Sequence, residues 1–186
     1  MSDDSSALHA WIVERLRFVN GHADNWRLFD DAELFAAVVD ALIEPFRGRA
    51  ITKVAGIEAR GFILGGACAL RLGTGFAAIR KGEGLFPGPK LTVPAAPDYR
   101  GNSHTLRIQT ASVSEGDRVL LVDDWCETGS QARAARTLIE SAGAEFAGLA
   151  CIVDQSGPGV AGLIGVYHWL IRADDLRAES DAESTL

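Results

Sequence analysis

Val119-Leu120-Leu121-Val122-Asp123-Asp124-Trp125-Cys126-Glu127-Thr128-Gly129-Ser130-Gln131 is the stretch on which the reading of this 186-residue chain turns. Four apolar residues run into two adjacent carboxylates, and a small hydroxyl-bearing turn then opens an alanine-rich segment of helical character. An uninterrupted apolar run of that length fits a parallel strand buried on both faces, which delivers its acids to the carboxyl edge of a sheet. The turn Thr128-Gly129-Ser130-Gln131 offers backbone N–H groups and hydroxyls at a helix N-terminus, where an anion is favoured. One ligand chemistry satisfies both halves, a phosphate ester with vicinal hydroxyls: hydroxyls on the carboxylates, phosphate in the turn.

A second segment has the same strand-turn-helix form. Val54-Ala55-Gly56-Ile57 leads into Glu58-Ala59-Arg60-Gly61, then Phe62-Ile63-Leu64-Gly65-Gly66. Its glycines permit close approach of helix and backbone, and Arg60 presents a fork of donors suited to a diphosphate. Together the two segments resemble the signatures of the type I phosphoribosyltransferases, and the second is most similar to the pyrophosphate loop of adenine phosphoribosyltransferase. Gly75 to Lys81, followed by Leu85-Phe86-Pro87-Gly88-Pro89, resembles that family's next strand and the start of its mobile loop. Asp31 to Gly48 resembles its second helix. The likeness runs in consistent order over about residues 15 to 170.

The resemblance implies an α/β fold: a parallel twisted sheet with helices on both faces, a small N-terminal hood and a mobile loop. It implies transfer of 5-phosphoribosyl from phosphoribosyl pyrophosphate (PRPP) to a nitrogenous base, a purine on an adenine-type scaffold, with release of pyrophosphate in purine salvage. Asp123 and Asp124 would then hold the ribose hydroxyls, directly or through Mg²⁺ and its waters, since magnesium rides on substrate phosphates with few protein ligands. Thr128, Gly129, Ser130 and Gln131 would cradle the 5′-phosphate. Glu58, Ala59 and Arg60, with Arg80 and Lys81, would take the pyrophosphate, and the 81–104 loop would be the lid that expels water. A homodimer and a cytoplasmic location are the corresponding expectations.

Three departures from the adenine-type pattern bear on the base. Glu127 stands before the threonine, where the oxopurine relatives carry an acid that faces the purine imidazole ring. Thr105 occupies the place of the family's loop glutamate. Glu127 is therefore the candidate general acid/base, with a solvated turn acid near a helix N-terminus as the alternative. The base-reading segment is replaced by Gly21-His22-Ala23-Asp24-Asn25-Trp26-Arg27, shorter and more polar. His22, Asn25 and Trp26 either line a differently shaped base site or fold the hood. Trp125 either stacks on the base or points into the core.

Composition narrows the classes. Hydrophobic residues make up 47% of the chain, charged residues are ordinary in number, and the length suits a single domain over 1–186, with a hood over about 1–30. No apolar run approaches the roughly 20 residues of a membrane helix, and Met1-Ser-Asp-Asp-Ser-Ser6 is unlike a secretory or mitochondrial leader. A net charge of −7 argues against a nucleic-acid surface. Residues 174–186, a loose acidic tail by composition, supply −4 of it (five acids against Arg177). Of the cations between 47 and 90, Arg47, Arg49, Lys53 and Arg71 read as solvated surface rather than pocket. Cys68, Cys126 and Cys151, odd in number and without metal-ligand spacing, fit reduced thiols. Two other functions stay open: transfer to a different nitrogenous acceptor, and PRPP sensing without catalysis. Regulators of the latter kind carry an added DNA-binding domain, for which this chain has no spare length.

Element by element, apolar spacing predicts a helix over 11–18 and another capped by Asp31 and ended near Pro45. Strands are expected at 51–57, 76–79, 105–110, 118–123, 147–153 and 165–171, and helices at 62–72 and 131–142. Residues 81–104 read as irregular.

Overall fold

A computed structural model describes residues 3–19, 22–82, 84–96, 104–157 and 159–176. In chain order the elements are α1 (Asp3–Arg15), β1 (Arg17–Val19), β2 (His22–Asp24), α2 (Ala32–Ile43), β3 (Lys53–Ile57), α3 (Arg60–Leu72), β4 (Gly75–Lys81), β5 (Lys90–Pro94), β6 (Thr105–Gln109), β7 (Arg118–Cys126), α4 (Ser130–Ser141), β8 (Glu145–Asp154), α5 (Val160–Ile164) and β9 (Tyr167–Arg172), with 3-10 turns at Asn25–Leu28 and Glu44–Phe46.

Seven strands make one sheet in the order β5-β6-β4-β3-β7-β8-β9, and β1 and β2 form a separate hairpin. Strands β4, β3, β7, β8 and β9 run parallel. At one edge β6 runs antiparallel to β4, and β5 antiparallel to β6. The expected parallel sheet is present in five of the seven strands, and β5 and β6 add an antiparallel edge to it. Only residues 95–104 separate β5 from β6, too few for the crossover of about a dozen or more residues that a parallel neighbour needs.

Burial follows the alternation of side chains along each strand. Leu120 and Val122 of β7 face a core with Ile12, Leu34, Val38, Leu42, Leu64 and Cys68 from α1, α2 and α3. Val119 and Leu121 face the opposite core with Ala135, Leu138 and Ile139 of α4, and with Ala55, Ile79 and Leu149. Both layers together place β7 at the centre of the molecule, which is why its sequence is continuously apolar up to the acids.

Other boundaries shift for local reasons. Asp31 caps α2 as expected, its carboxylate accepting from the N–H groups of Glu33 and Leu34 at 3.1 Å. The first helix begins at Asp3 and ends at Arg15, so Phe18 lies in the β1 strand and is 46% exposed instead of continuing a helical face. The segment read as irregular contains β5. Before it, the carbonyls of Gly84, Leu85, Phe86, Pro87 and Gly88 are each held by a side chain: Arg107, Arg80, Lys90, Gln109 and again Lys90. Long polar side chains here do the work that regular structure does elsewhere. Residues 97–103, part of the expected lid, and 177–186 of the expected acidic tail lie outside the described residues. No described helix is long and apolar enough to cross a membrane.

His168 on β9 lies 3.1 Å by Nε2 from the carbonyl of Ala41 on α2, and burial lowers its pKa below the usual imidazole value. A carbonyl partner requires the Nε2–H tautomer. A depressed folded-state pKa gives stability that is present above the unfolded value of about 6.5 and lost as pH falls through the folded one. Melting temperature is therefore expected to fall as pH drops from about 6.5 towards 5, and less steeply in His168→Gln, whose amide can still donate. Parallel pH–melting curves for the two proteins would refute this.

Candidate active site

Two turns meet over the central strand. β3 ends at Ile57, the chain turns through Glu58 and Ala59 over a cis peptide, and α3 begins at Arg60. The turn can settle onto its neighbours because two glycines face each other there. A Cβ on Gly56 would stand 2.0 Å from the carbonyl oxygen of Gly61, and one on Gly61 would stand 3.0 Å from Asp123 Oδ1. On the other side β7 runs on through Asp123 and Asp124 to Cys126, three residues beyond the expected strand end at 123, so the acids belong to the strand and not to its end. The chain then reverses at Gly129, whose φ of +69° sets the start of α4 and whose missing side chain leaves room for Val160. Thr128 Oγ1 accepts from the N–H of Ser130 at 3.3 Å, and Arg133 holds the Thr128 carbonyl at 3.0 Å.

Between the two turns lies a cleft of about 490 Å³. Its wall includes Glu58, Ala59, Arg60 and Lys81 on one side, and Asp123, Asp124, Trp125 and the run Glu127 to Gln131 on the other. The structure thus brings together twelve of the residues singled out from sequence. Four stand off the wall. Arg80 is turned to Glu58, donating through Nε at 3.2 Å and Nη2 at 2.8 Å, and lies over the Phe86 ring. Asn25 is 2% exposed and lies behind Asp124. Trp26 borders a separate shallow depression with Asp24, Arg27, Phe29 and Asp30. His22 opens the β2 strand of the hairpin. Trp125 lines the cleft, packs on the α1–α3 core and donates its indole N–H to Gln155 at 2.8 Å.

Charge in the cleft is organised around the acid pair. Burial first, and the adjacent Asp124 carboxylate second, raise Asp123 well above the ordinary carboxylate range, with Lys81 acting in the opposite sense. Asp124 is 6% exposed, and its Oδ2 accepts from both Asn25 Nδ2, at 2.6 Å, and Arg60 Nε. Glu58 is held below its usual range, chiefly by its bonds to Arg80 and then by the Lys81 N–H. An acid pair of which, among the described residues, Asp124 alone has a direct ion-pair partner, beside the turn that opens α4, invites a ligand that brings hydroxyls or a cation to one side and an anion to the other. Among the described residues no group of three or more His, Cys, Asp or Glu side chains could hold a metal ion.

Sequence reasoning missed His104, Ile57, Leu121, Cys126, Ala132 and Leu149 on the wall. His104 precedes an ordinary strand and carries no motif; the pairing of β5 with β6 puts it there. Of the cations read as surface, Arg47 and Arg71 are exposed and bind Asp40, Arg49 is exposed and donates to the Pro45 carbonyl, and Lys53 is half-buried against Asp117.

The family model described as "Phosphoribosyl transferase domain" matches residues 26–167. The adenine phosphoribosyltransferase of Dinoroseobacter shibae is 46% identical over 127 residues, 68% of this chain and 69% of that protein. That of Cereibacter sphaeroides is 43% identical over 127 residues, 68% of this chain and 70% of that protein. The crystal structure of adenine phosphoribosyltransferase from Rhodothermus marinus superposes with a TM-score of 0.81 at 31% identity, covering 90% of this chain and 99% of that one. The Giardia lamblia enzyme, solved in complex with 9-deazaadenine, gives 0.78 at 28%, covering 92% and 98%. Two signatures in family order, a shared cleft and relatives of this kind have one account: the chain belongs to the phosphoribosyltransferase family, among the adenine phosphoribosyltransferases.

Proposed function

We infer that the chain transfers 5-phosphoribosyl from PRPP to a purine base in purine salvage, adenine being the base its relatives' names point to. The carrying observation is that one strand-turn-helix, Asp123 to Gln131, and the Glu58–Arg60 turn with Lys81 form opposite walls of a single cleft. In the reaction a ring nitrogen of the base forms a bond to C1 of the ribose as the bond from C1 to the pyrophosphate oxygen breaks. The leaving group departs with the electron pair, and the base gives up its N–H proton. Asp123 and Asp124 hold the ribose hydroxyls, the N–H groups of the 128–131 turn bind the 5′-phosphate, and Arg60 with Lys81 meets the charge growing on pyrophosphate. Arg80 acts at one remove, by fixing Glu58 and the start of the loop. Glu127 takes and returns the base proton.

The acid pair fits Mg²⁺ only through water: it is two carboxylates rather than a cage, one of them raised by burial and in want of a cation. Mg²⁺ bound to PRPP supplies charge neutralisation at the diphosphate. The test is pyrophosphate release in the presence of PRPP with adenine, hypoxanthine, guanine, xanthine, uracil or orotate offered singly. Adenine is expected to be fastest; release with a pyrimidine alone, or with none of the six, would refute the reading.

Two attendant features belong to the same proposal. The outward side of α3 carries no charge from Gly61 to Leu70, and it exposes Ile63 (38%) and Leu70 (85%) beside Phe76 (36%) of β4. A second copy of the chain is the partner proposed for this strip, so sedimentation equilibrium is expected to give twice the monomer mass, and Leu70→Glu to halve it. The three cysteines are buried and unpaired, as suits a reducing cytoplasm.

A further inference from the structure

Three binding elements converge on one atom. Asp124 Oδ2 accepts from Asn25 of the hood and from Arg60 of the pyrophosphate turn, and Arg60 in turn lies 6.0 Å over the Trp26 ring. The two lone pairs of that oxygen are thereby used, so a sugar hydroxyl must take the other oxygen. Arg60 is thus tied to a carboxylate while its assigned partner, the pyrophosphate, is not yet there. Moving it away would leave a carboxylate that is 6% exposed without its cation, which is strongly unfavourable unless another donor stays.

Asn25 is that donor. Its amide is costly to the fold: Asn25 is 2% exposed, and its Oδ1 has no hydrogen-bond partner among the described residues. A buried acceptor without a donor is destabilising, whereas an apolar side chain of similar shape would not be. The amide is therefore poorly explained by packing and well explained by what its NH₂ does at Asp124.

We propose that Asn25 is a positioning residue that keeps Asp124 in place while Arg60 transfers from Asp124 to the pyrophosphate of PRPP. The inference rests on the functional reading above. It makes the hood, through Asn25, part of the pyrophosphate response. Without the amide, Arg60 is the remaining donor to Oδ2 and is held back from the diphosphate. The loss must then fall on ligands that carry pyrophosphate and spare those that do not.

The test is a binding cycle by calorimetry, with PRPP and AMP each in Mg²⁺ buffer, on wild type, Asn25→Leu, Asn25→Ala, Arg60→Ala and the Asn25→Leu/Arg60→Ala double variant. Leu retains approximate volume and Ala opens space, but both lack the donor, so both are expected to weaken PRPP about tenfold or more, the scale of a hydrogen bond to a charged group. AMP is expected to weaken by a few-fold at most. In the Arg60→Ala background the Leu substitution is expected to affect PRPP and AMP by the same factor, because no guanidinium is left to release. Equal losses of PRPP and AMP with Arg60 present, losses that follow side-chain shape instead of the donor, or PRPP selectivity that survives Arg60→Ala would each overturn the inference alone. Failure of the wild type to bind PRPP would overturn the functional reading and this inference with it.

Discussion

Arg60→Ala is expected to lower kcat by about 10²–10³-fold, the scale on which a positioned donor to a developing anion contributes, while the Kd for AMP rises only a few-fold. The asymmetry follows from chemistry. PRPP and the transition state carry the pyrophosphate that Arg60 is assigned to meet, and AMP does not. Arg60 is 37% exposed along its side chain and borders the cleft, so it can turn from Asp124 towards a ligand without disturbing the core. Its loss also leaves the Asp124 carboxylate with Asn25 as the donor that holds it, which accounts for the residual effect on AMP. Arg60→Lys keeps the charge but loses the planar fork, and is expected to fall between the two. Steady-state kinetics in the forward direction, set beside calorimetric AMP affinity, measures both quantities. Equal losses of turnover and AMP affinity would move Arg60 from the pyrophosphate to the shaping of Asp124.

Much of this was legible in the sequence because it rests on local rules. The run Val119 to Val122 announces a strand buried on both faces, and that strand lies inside the sheet between β3 and β8. The glycines at 56 and 61 mark a close approach, and the structure places the backbone of one against the other. What was not legible depends on distant pairing. Lys90 to Pro94 alternates polar and apolar residues, but it is only five residues long and sits among Pro87, Pro89, Pro94 and Pro97, which mark loop; β6 makes it a strand by offering an unpaired edge. Arg80 reads as a pocket cation from its place at the end of β4, yet register sets it against Glu58, whose carboxylate captures it. Asn25 carries no motif, and its meaning appears only when a residue 99 positions away comes to lie at 2.6 Å. Side chains that act on ligands through other side chains leave little trace in a single sequence.

Glu127→Gln is expected to cut kcat by about 10²–10⁴-fold, the range for a carboxylate that shares a proton in the transition state, with PRPP affinity preserved. Glu127 follows the last residue of β7 and precedes the phosphate turn by one, and it lies on the cleft wall beside Trp125, the flat apolar surface available to a base. Thr105, in the position of the family's loop glutamate, opens β6 and is exposed away from that wall, so no acid at that point competes for the role. The amide keeps the size and hydrogen bonding of the acid but cannot accept the base proton. The variant should therefore lose the acidic limb of its kcat–pH profile, since that limb reports protonation of the missing group, and retain PRPP-induced thermal stabilisation. Turnover within a few-fold of wild type would reduce Glu127 to a turn residue at a helix N-terminus. The proton would then fall to His104, another titratable group on the wall, and a His104→Gln variant would carry the loss instead.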